Sequence, residues 1–246
     1  MAAPTLLLDI IPKTAAFVKN LEFLGIICAF KEKHMPRNSV ENIELVVRTI
    51  AQTSIDNEKY FTELDGVVGD GDFGISISSG FGAILAEWDN LDHSSGESLL
   101  VGCAKIISKN IGGTSGSLWR AAFRNAGKSI SGKDTLTSED VVTMFRSAAA
   151  GIMDRGGANL GDKTLLDALV PAADAFEETI KNGGNTQQAI DTAAKVAREQ
   201  AEVSKAWVAK RGRASYTGER SKDTYDAGAV AVATMFENVA TAWAEF

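Results

Sequence analysis

The stretch that decides the fold reads Leu64-Asp65-Gly66-Val67-Val68-Gly69-Asp70-Gly71-Asp72-Phe73-Gly74. Its three aspartates, Asp65, Asp70 and Asp72, are spaced i, i+5 and i+7. Carboxylates brought together repel one another, and a nearby cation relieves that repulsion. Hard divalent ions such as Mg²⁺ and Ca²⁺ prefer oxygen ligands of this kind. The sequence therefore predicts a divalent metal site where one helical pattern ends and the next begins.

The glycines of this acidic loop also suit a phosphate site, because they let the backbone approach a ligand closely. A loop that enters a helix N-terminus presents free N–H groups to anions. The loop is not an EF-hand, since Ser76 stands where position 12 would need a glutamate. It is not a Walker A loop, since no Gly-Lys-Ser/Thr follows. An Asp-Gly surface turn that binds nothing is the remaining alternative.

Composition narrows the class of protein. The 246 residues suffice for one large domain, and 45% are hydrophobic, with only four prolines. Abundant alanine favours helix over sheet. The net charge of −7 argues against non-specific nucleic-acid binding. No apolar run reaches the length of a membrane span, so we expect no membrane segment.

The few cysteines and histidines exclude other site types. Cys28 and Cys103 form no disulfide or metal framework, and His34 and His93 are too few for a histidine metal site. We expect Cys103 to be a small core residue and His93 to be exposed in a polar loop. A reduced, cytoplasmic setting fits this usage best. Residues 1–38 are expected to form an N-terminal extension, peripheral or disordered, that is not a signal peptide, and residues 39–246 the folded domain.

Apolar spacing predicts an all-α chain of about eight helices. They are expected at about 39–64, 75–88, 97–109, a fourth that carries Leu118 to Phe123, 138–155, a sixth from about Leu165, 186–208 and 226–244. The candidate N-caps are Ser39, Thr114 or Ser115, Thr137 or Ser138, and Asp162. Short connections make successive helices antiparallel.

This topology predicts where the unusual loops lie. In an up-and-down arrangement, alternate connections share one end of the molecule. The acidic loop, the Gly-rich loop 112–117, the loop 155–164 and the basic loop 210–221 are all alternate connections. We therefore expect all four at one end, forming a composite phosphate and metal site.

Together these loops resemble the nucleotide-binding L subunit, or L domain, of dihydroxyacetone kinases. The matching pieces are Leu64-Asp65 with Gly69-Asp70-Gly71-Asp72, Gly112-Gly113-Thr114-Ser115-Gly116, Gly161-Asp162-Lys163-Thr164, and Gly212-Arg213-Ala214-Ser215-Tyr216 running into Gly218-Glu219-Arg220-Ser221. The resemblance covers roughly residue 39 to the C-terminus. It implies a closed up-and-down antiparallel barrel of eight helices, with a nucleotide (ATP or ADP) and two Mg²⁺ ions at one end.

The resemblance also implies roles for individual residues. The metal ligands would be Asp65, Asp70 and Asp72. The nucleotide-binding positions would be Phe73, Gly74, Ile75, Ser76, Thr114, Ser115, Gly156, Leu165, Arg213, Asp226, Ala227 and Gly228. Three departures from the family pattern are Phe73 in place of a histidine, Asp223-Thr224 in place of Gly-His, and Ala227 in place of a proline. None of them removes a metal ligand.

The function implied is phosphoryl transfer from ATP to dihydroxyacetone or another short ketose. The chain lacks the family's K domain, so a separate K subunit would hold the ketose. One alternative is a subunit with permanently bound ADP that a phosphocarrier protein rephosphorylates. Another is a nucleotide-loaded regulatory module that docks a transcription regulator, and a third is a Mg²⁺-binding scaffold without turnover.

Overall fold

The structure is a computed structural model that describes residues 38–246, so the predicted N-terminal extension lies almost wholly outside the described residues. Within residues 38–246 the secondary structure is entirely helical, without a β-strand. The α-helices are α1 (Ser39–Asp56), α2 (Glu58–Gly66), α3 (Phe73–Ala86), α4 (Gly96–Asn110), α5 (Gly113–Ser129), α6 (Ser138–Gly156), α7 (Leu166–Lys181), α8 (Thr186–Val203) and α9 (Ala227–Glu245). Short 3₁₀ helices span Trp88–Asn90, Ser204–Ala206 and Arg213–Ser221.

The helices follow one another around a ring. From α3 to α9, each helix packs against its neighbour in sequence, and α9 returns to contact α1, which also packs on α3. The last and first helices of the described region therefore close the bundle. This confirms the all-α antiparallel fold expected from the helical periodicity.

The predicted first helix is divided in two at Asn57. The Asn57 side chain donates through Nδ2 to the Thr53 carbonyl at 2.9 Å, and its backbone N–H bonds the same oxygen at 3.1 Å. This local bonding ends α1, and α2 restarts at Glu58. The break lets α2 deliver Asp65 to the acidic loop from its last turn.

Capping boxes define the starts of three helices. The pairs are Asn38 with Glu41, Thr137 with Asp140, and Asn185 with Gln188. In each, the cap side chain accepts from the N3 backbone while the N3 side chain accepts from the cap backbone. The predicted N-cap Thr137 is confirmed. The predicted N-cap Ser39 is wrong by one residue, because Asn38 caps α1.

Two other predicted caps are wrong. Gly112 precedes α5, so Thr114 and Ser115 lie in its first turn, where their backbones are already helical. Asp162 does not cap α7, which begins at Leu166. Its carboxylate instead accepts from the Asn159 backbone N–H at 2.9 Å. The side chains of Thr114 and Ser115 therefore stay available for contacts other than a helix cap.

The core lies inside the ring of helices. Its largest fully buried apolar side chains are Phe61, Phe81, Phe176, Ile77, Ile84, Leu99, Ile107, Ile130 and Leu166. Phe81 packs edge-on against Trp119, with 5.4 Å between ring centroids. Cys103 is fully buried, as expected, and burial raises its pKa to about 12, so the thiol stays protonated. No helix within residues 38–246 combines the length and apolar character that crossing a bilayer requires.

Candidate functional site

The three aspartates of the acidic loop converge. One carboxylate oxygen from each of Asp65, Asp70 and Asp72 lies within 4.8 Å of those from the other two. Asp65 is half-buried at the end of α2, while Asp70 and Asp72 are exposed. Asp65 Oδ2 also accepts from the backbone N–H groups of Asp72 and Phe73, at 3.1 and 3.4 Å. The three carboxylates therefore offer hard oxygen ligands at a spacing that suits Mg²⁺.

Two glycines shape this loop. A Cβ on Gly69 would lie 2.2 Å from Asp65 Oδ1 and 2.7 Å from the Asp65 carbonyl oxygen, so the chain folds back over Asp65 only with glycine there. Gly71 has a φ of +69°, which side chains with a Cβ rarely adopt. The glycines therefore bring Asp70 and Asp72 back towards Asp65.

The electrostatics of the cluster favour a cation. Loss of hydration, and then the charges of Asp70 and Asp65, raise the pKa of Asp72, while Arg213 opposes them. Arg213 Nε lies 2.9 Å from Asp70 Oδ2. A divalent ion between the carboxylates would relieve the same repulsion more completely.

The basic loop reaches two of the three other loops that the topology predicted to be its neighbours. Arg211 Nε lies 3.3 Å from Asp162 Oδ2, and the Lys210 backbone N–H donates to the Asp162 carbonyl at 3.0 Å. Asp162 belongs to the loop between α6 and α7. With the Arg213–Asp70 pair, these contacts join three of the four loops at one end of the molecule.

The position of the fourth loop, residues 112–117, follows from a contact between α5 and α6. Thr114 is exposed and Ser115 half-buried at the start of α5. Gly156 ends α6, and a Cβ built on it would meet a methyl group of Leu118 at 3.0 Å. The start of α5 and the end of α6 are therefore adjacent. The described contacts do not join Thr114 or Ser115 directly to the aspartates.

The residues after Asp72 form the first turn of α3. Phe73 is half-buried and packs near Phe61, Gly74 is buried, and Ile75 is 55% exposed. Ser76 donates its backbone N–H to the Asp72 carbonyl at 2.9 Å. The N-terminus of α3 thus points its free N–H groups into the acidic loop, as a phosphate site requires.

The N-terminus of α9 lies at the same end of the molecule as the acidic loop. Asp226 caps α9, accepting from the Ala229 N–H at 2.7 Å. Burial raises the pKa of Asp226 to about 7, and the charges of Asp167 and Asp65 act in the same direction. Leu165 is buried, and a Cβ on Gly228 would lie 3.1 Å from the Leu165 Cβ. Ala227, which follows the cap, is buried as well.

Sequence reasoning missed two residues here. Asp167, buried in α7, accepts from the N–H groups of Gly161 and Thr164 at 2.6 and 2.7 Å and so orders the loop before it. Lys163 is 2% exposed and adopts a left-handed φ of 61°. Burial lowers the pKa of Lys163. A lysine in a polar loop carries no sequence signal of burial, since lysine is rarely buried.

Comparison with known proteins places this geometry in a family. The model of the DAK2 domain matches residues 67–241, which include Asp70, Asp72 and Arg213. The chain belongs to the DAK2 domain family. Within this family, the domain is of the DhaL type. It is 31% identical over 184 residues to the "PEP-dependent dihydroxyacetone kinase, ADP-binding subunit DhaL" of Escherichia coli (strain K12). The match covers 75% of this chain and 88% of that protein.

Some other relatives are longer proteins. The chain is 37% identical over 203 residues to the L-erythrulose 1-kinase of Mycolicibacterium smegmatis, covering 82% of this chain but only 35% of that enzyme. It superimposes on the crystal structure of the dihydroxyacetone kinase of C. freundii with a TM-score of 0.66 and 25% identity, over 84% of this chain and 35% of that one. The DAK2 domain therefore corresponds to about a third of these single-chain kinases.

Proposed function

We propose that this DAK2 domain is the nucleotide-binding L subunit of a short-ketose kinase, which transfers the terminal phosphoryl group of ATP to a ketose held by a separate K subunit. The observation that carries the proposal is the convergence of the three carboxylates within 4.8 Å, beside glycine-rich helix starts and Arg213. The names of the relatives, dihydroxyacetone kinase and L-erythrulose 1-kinase, support the class of substrate.

The residues of the site have complementary tasks. Asp65, Asp70 and Asp72 would hold two Mg²⁺ ions, which, when bound, neutralise phosphate oxygens as the phosphoryl group leaves. The backbone N–H groups of Gly74 and Ile75 at the start of α3 would orient the phosphates, with Phe73 and Ser76 on either side of them. Arg213, in contact with Asp70, would add positive charge. We assign no general base.

The remaining positions would complete the nucleotide site. They are Thr114 and Ser115 at the start of α5, Gly156 at the end of α6, Leu165 before α7, and Asp226, Ala227 and Gly228 at the start of α9. A related dihydroxyacetone kinase from C. freundii has been solved in complex with AMP-PNP and Mg²⁺, with a TM-score of 0.64 and 24% identity to this chain. That likeness supports the fold on which these positions are arranged.

The second candidate uses a different phosphate donor. Three relatives that match most of their own length are named as PEP-dependent kinases with an ADP-binding subunit. In that form ADP stays bound and a phosphocarrier protein rephosphorylates it. We favour ATP because Phe73, Asp223-Thr224 and Ala227, where this chain departs from the family pattern, would lie at the rim of the proposed nucleotide site.

A single assay separates these candidates. The purified chain is combined with a K subunit, and ATP consumption is followed with dihydroxyacetone or erythrulose. We expect consumption that requires both the ketose and the K subunit. Tightly retained ADP, rephosphorylated only by a phosphocarrier protein, would contradict the ATP form. Inertness towards every short ketose would contradict the substrate class and favour the regulatory or scaffold alternative.

A further inference from the structure

The segment that carries Arg213 is long, and nearly half of its residues are exposed, yet its base is tightly bonded. We call residues 207–221 the strap. Lys210, Arg211, Arg213 and Arg220 are exposed along it, and Tyr216 is 89% exposed. An exposed strap of this length needs fixed ends if it is to hold one side chain over the acidic loop. The side chain of Lys163 lies between those ends.

Lys163 Nζ bonds both ends of the strap at once. It donates to the carbonyl oxygen of Lys205, just before the strap, at 3.3 Å, to that of Trp207, where the strap begins, at 3.0 Å, and to that of Ser221, where it ends, at 2.5 Å. An ammonium group has three N–H donors and no acceptor, so three carbonyl oxygens satisfy it fully. This explains how a lysine is tolerated at 2% exposure.

The backbone conformation of Lys163 also indicates that its surroundings hold this residue in place. Its φ of 61° lies in the left-handed region, which is unfavourable for a residue with a Cβ. Such a conformation persists where surrounding contacts determine it, and it tends to occur at functional sites. Further bonds close the base of the strap: the Ala209 N–H donates to Ser221 Oγ at 2.9 Å, and the Asp223 N–H to the Lys205 carbonyl at 2.7 Å.

We propose that Lys163 is a positioning residue: by joining the two ends of the strap, it holds Arg213 against the acidic loop. Its part in phosphoryl transfer rests on the proposed function, because Arg213 is the group that would meet the phosphates. The described hydrogen bonds of Lys163 Nζ go to backbone carbonyl oxygens and not to Asp65, Asp70 or Asp72. It acts by limiting where Arg213 can be.

The first test is structural and requires no kinase activity. Hydrogen–deuterium exchange is measured on the full-length Lys163→Met variant, with Lys222→Met as the control, since Lys222 is an exposed lysine next to Ser221. We expect exchange in residues 207–221 to accelerate about tenfold or more in the first variant, with α4, α5 and α8 unchanged. Unchanged exchange in the strap would overturn the proposal. Lys163→Gln replaces the Met variant if that variant lacks the wild-type helical circular dichroism.

The second test separates positioning from general damage. Ketose-dependent activity is measured for Lys163→Met, Arg213→Ala and the double variant. If Lys163 acts through Arg213, its substitution lowers kcat about tenfold in the wild-type background but less than twofold when Arg213 is already alanine. Equal losses in both backgrounds would overturn the proposal. If the wild type phosphorylates no ketose while the strap still loosens, the proposed function fails and the anchoring by Lys163 stands.

Discussion

Arg213 Nε lies 2.9 Å from Asp70 Oδ2, so the strap that precedes the last helix contacts the loop that follows α2. The arginine side chain is 68% exposed and the aspartate 35%. An exposed pair of this kind contributes about 0–1 kcal/mol to folding. The contact therefore matters mainly because it places a positive charge beside the proposed metal ligands.

Substitution of Arg213 should affect catalysis far more than stability. We expect Arg213→Ala to lower kcat of the ketose kinase reaction by about 10²-fold, the usual effect of removing one group that stabilises developing charge. The melting temperature should change little. Arg220→Ala, which replaces another exposed arginine of the same strap, is the matched control and should keep nearly full activity. An Arg213→Ala enzyme as active as this control would contradict the role given to Arg213.

Gly69→Ala should disturb the metal ligands directly. The new Cβ would lie 2.2 Å from Asp65 Oδ1, so the carboxylate must move. We expect Mg²⁺ affinity to fall at least tenfold, as measured by titration calorimetry. Gly82→Ala is the control, because its nearest neighbour would be 3.8 Å away and alanine favours the helix interior by about 1 kcal/mol. Its Mg²⁺ affinity should equal that of the wild type.

His93 should make stability depend on pH. Contrary to the sequence-based expectation, its ring is only partly exposed: Nε2 lies 2.9 Å from the Trp88 carbonyl oxygen and Nδ1 2.6 Å from Glu44 Oε1. The bond to Trp88, opposed by partial burial and aided by Glu44, raises the pKa of His93 above 6.5. A raised histidine pKa gives stabilisation that is complete below pH 6.5 and is lost as pH rises through the folded-state pKa.

The measurement is thermal unfolding of His93→Gln and wild type at pH 6 and pH 9. The variant should be destabilised at pH 6 by on the order of 1 kcal/mol, the usual net value of a hydrogen bond. The difference should shrink at pH 9. Glu44→Gln, which removes the charged partner, should flatten the pH dependence of the otherwise wild-type protein. A destabilisation that grows with pH would contradict this assignment.

Much of the fold could be predicted from helical periodicity. The spacing of Ile43 and Val47, and of Val232 and Met235, marks faces that are buried in the structure. The break at Asn57 could not be predicted, because it depends on one side chain bonding the Thr53 carbonyl. The end of α8 at Val203 could not be predicted for a similar reason. Ser204 Oγ donates back to the Ala201 carbonyl, and Lys163 Nζ donates to the Lys205 carbonyl just after the helix.

The candidate site, like the fold, could be predicted in part from the sequence. Connectivity alone placed the four loops at one end, and the pairs Arg213–Asp70 and Arg211–Asp162 confirm the proximity of three of them. The role of Lys163 could not be predicted, because its three acceptors lie more than forty residues away in the chain. Long-range backbone contacts of this kind leave no periodic signal in the sequence.

The central claim is that Asp65, Asp70 and Asp72 bind Mg²⁺ as part of a nucleotide site. The most direct measurement is calorimetric titration of ADP into the protein with Mg²⁺ or with EDTA, for wild type, Asp70→Asn and the exposed control Asp134→Asn. We predict that both EDTA and Asp70→Asn weaken ADP binding at least tenfold, while Asp134→Asn leaves it unchanged. ADP affinity that is the same with EDTA, and the same in Asp70→Asn, would contradict the claim.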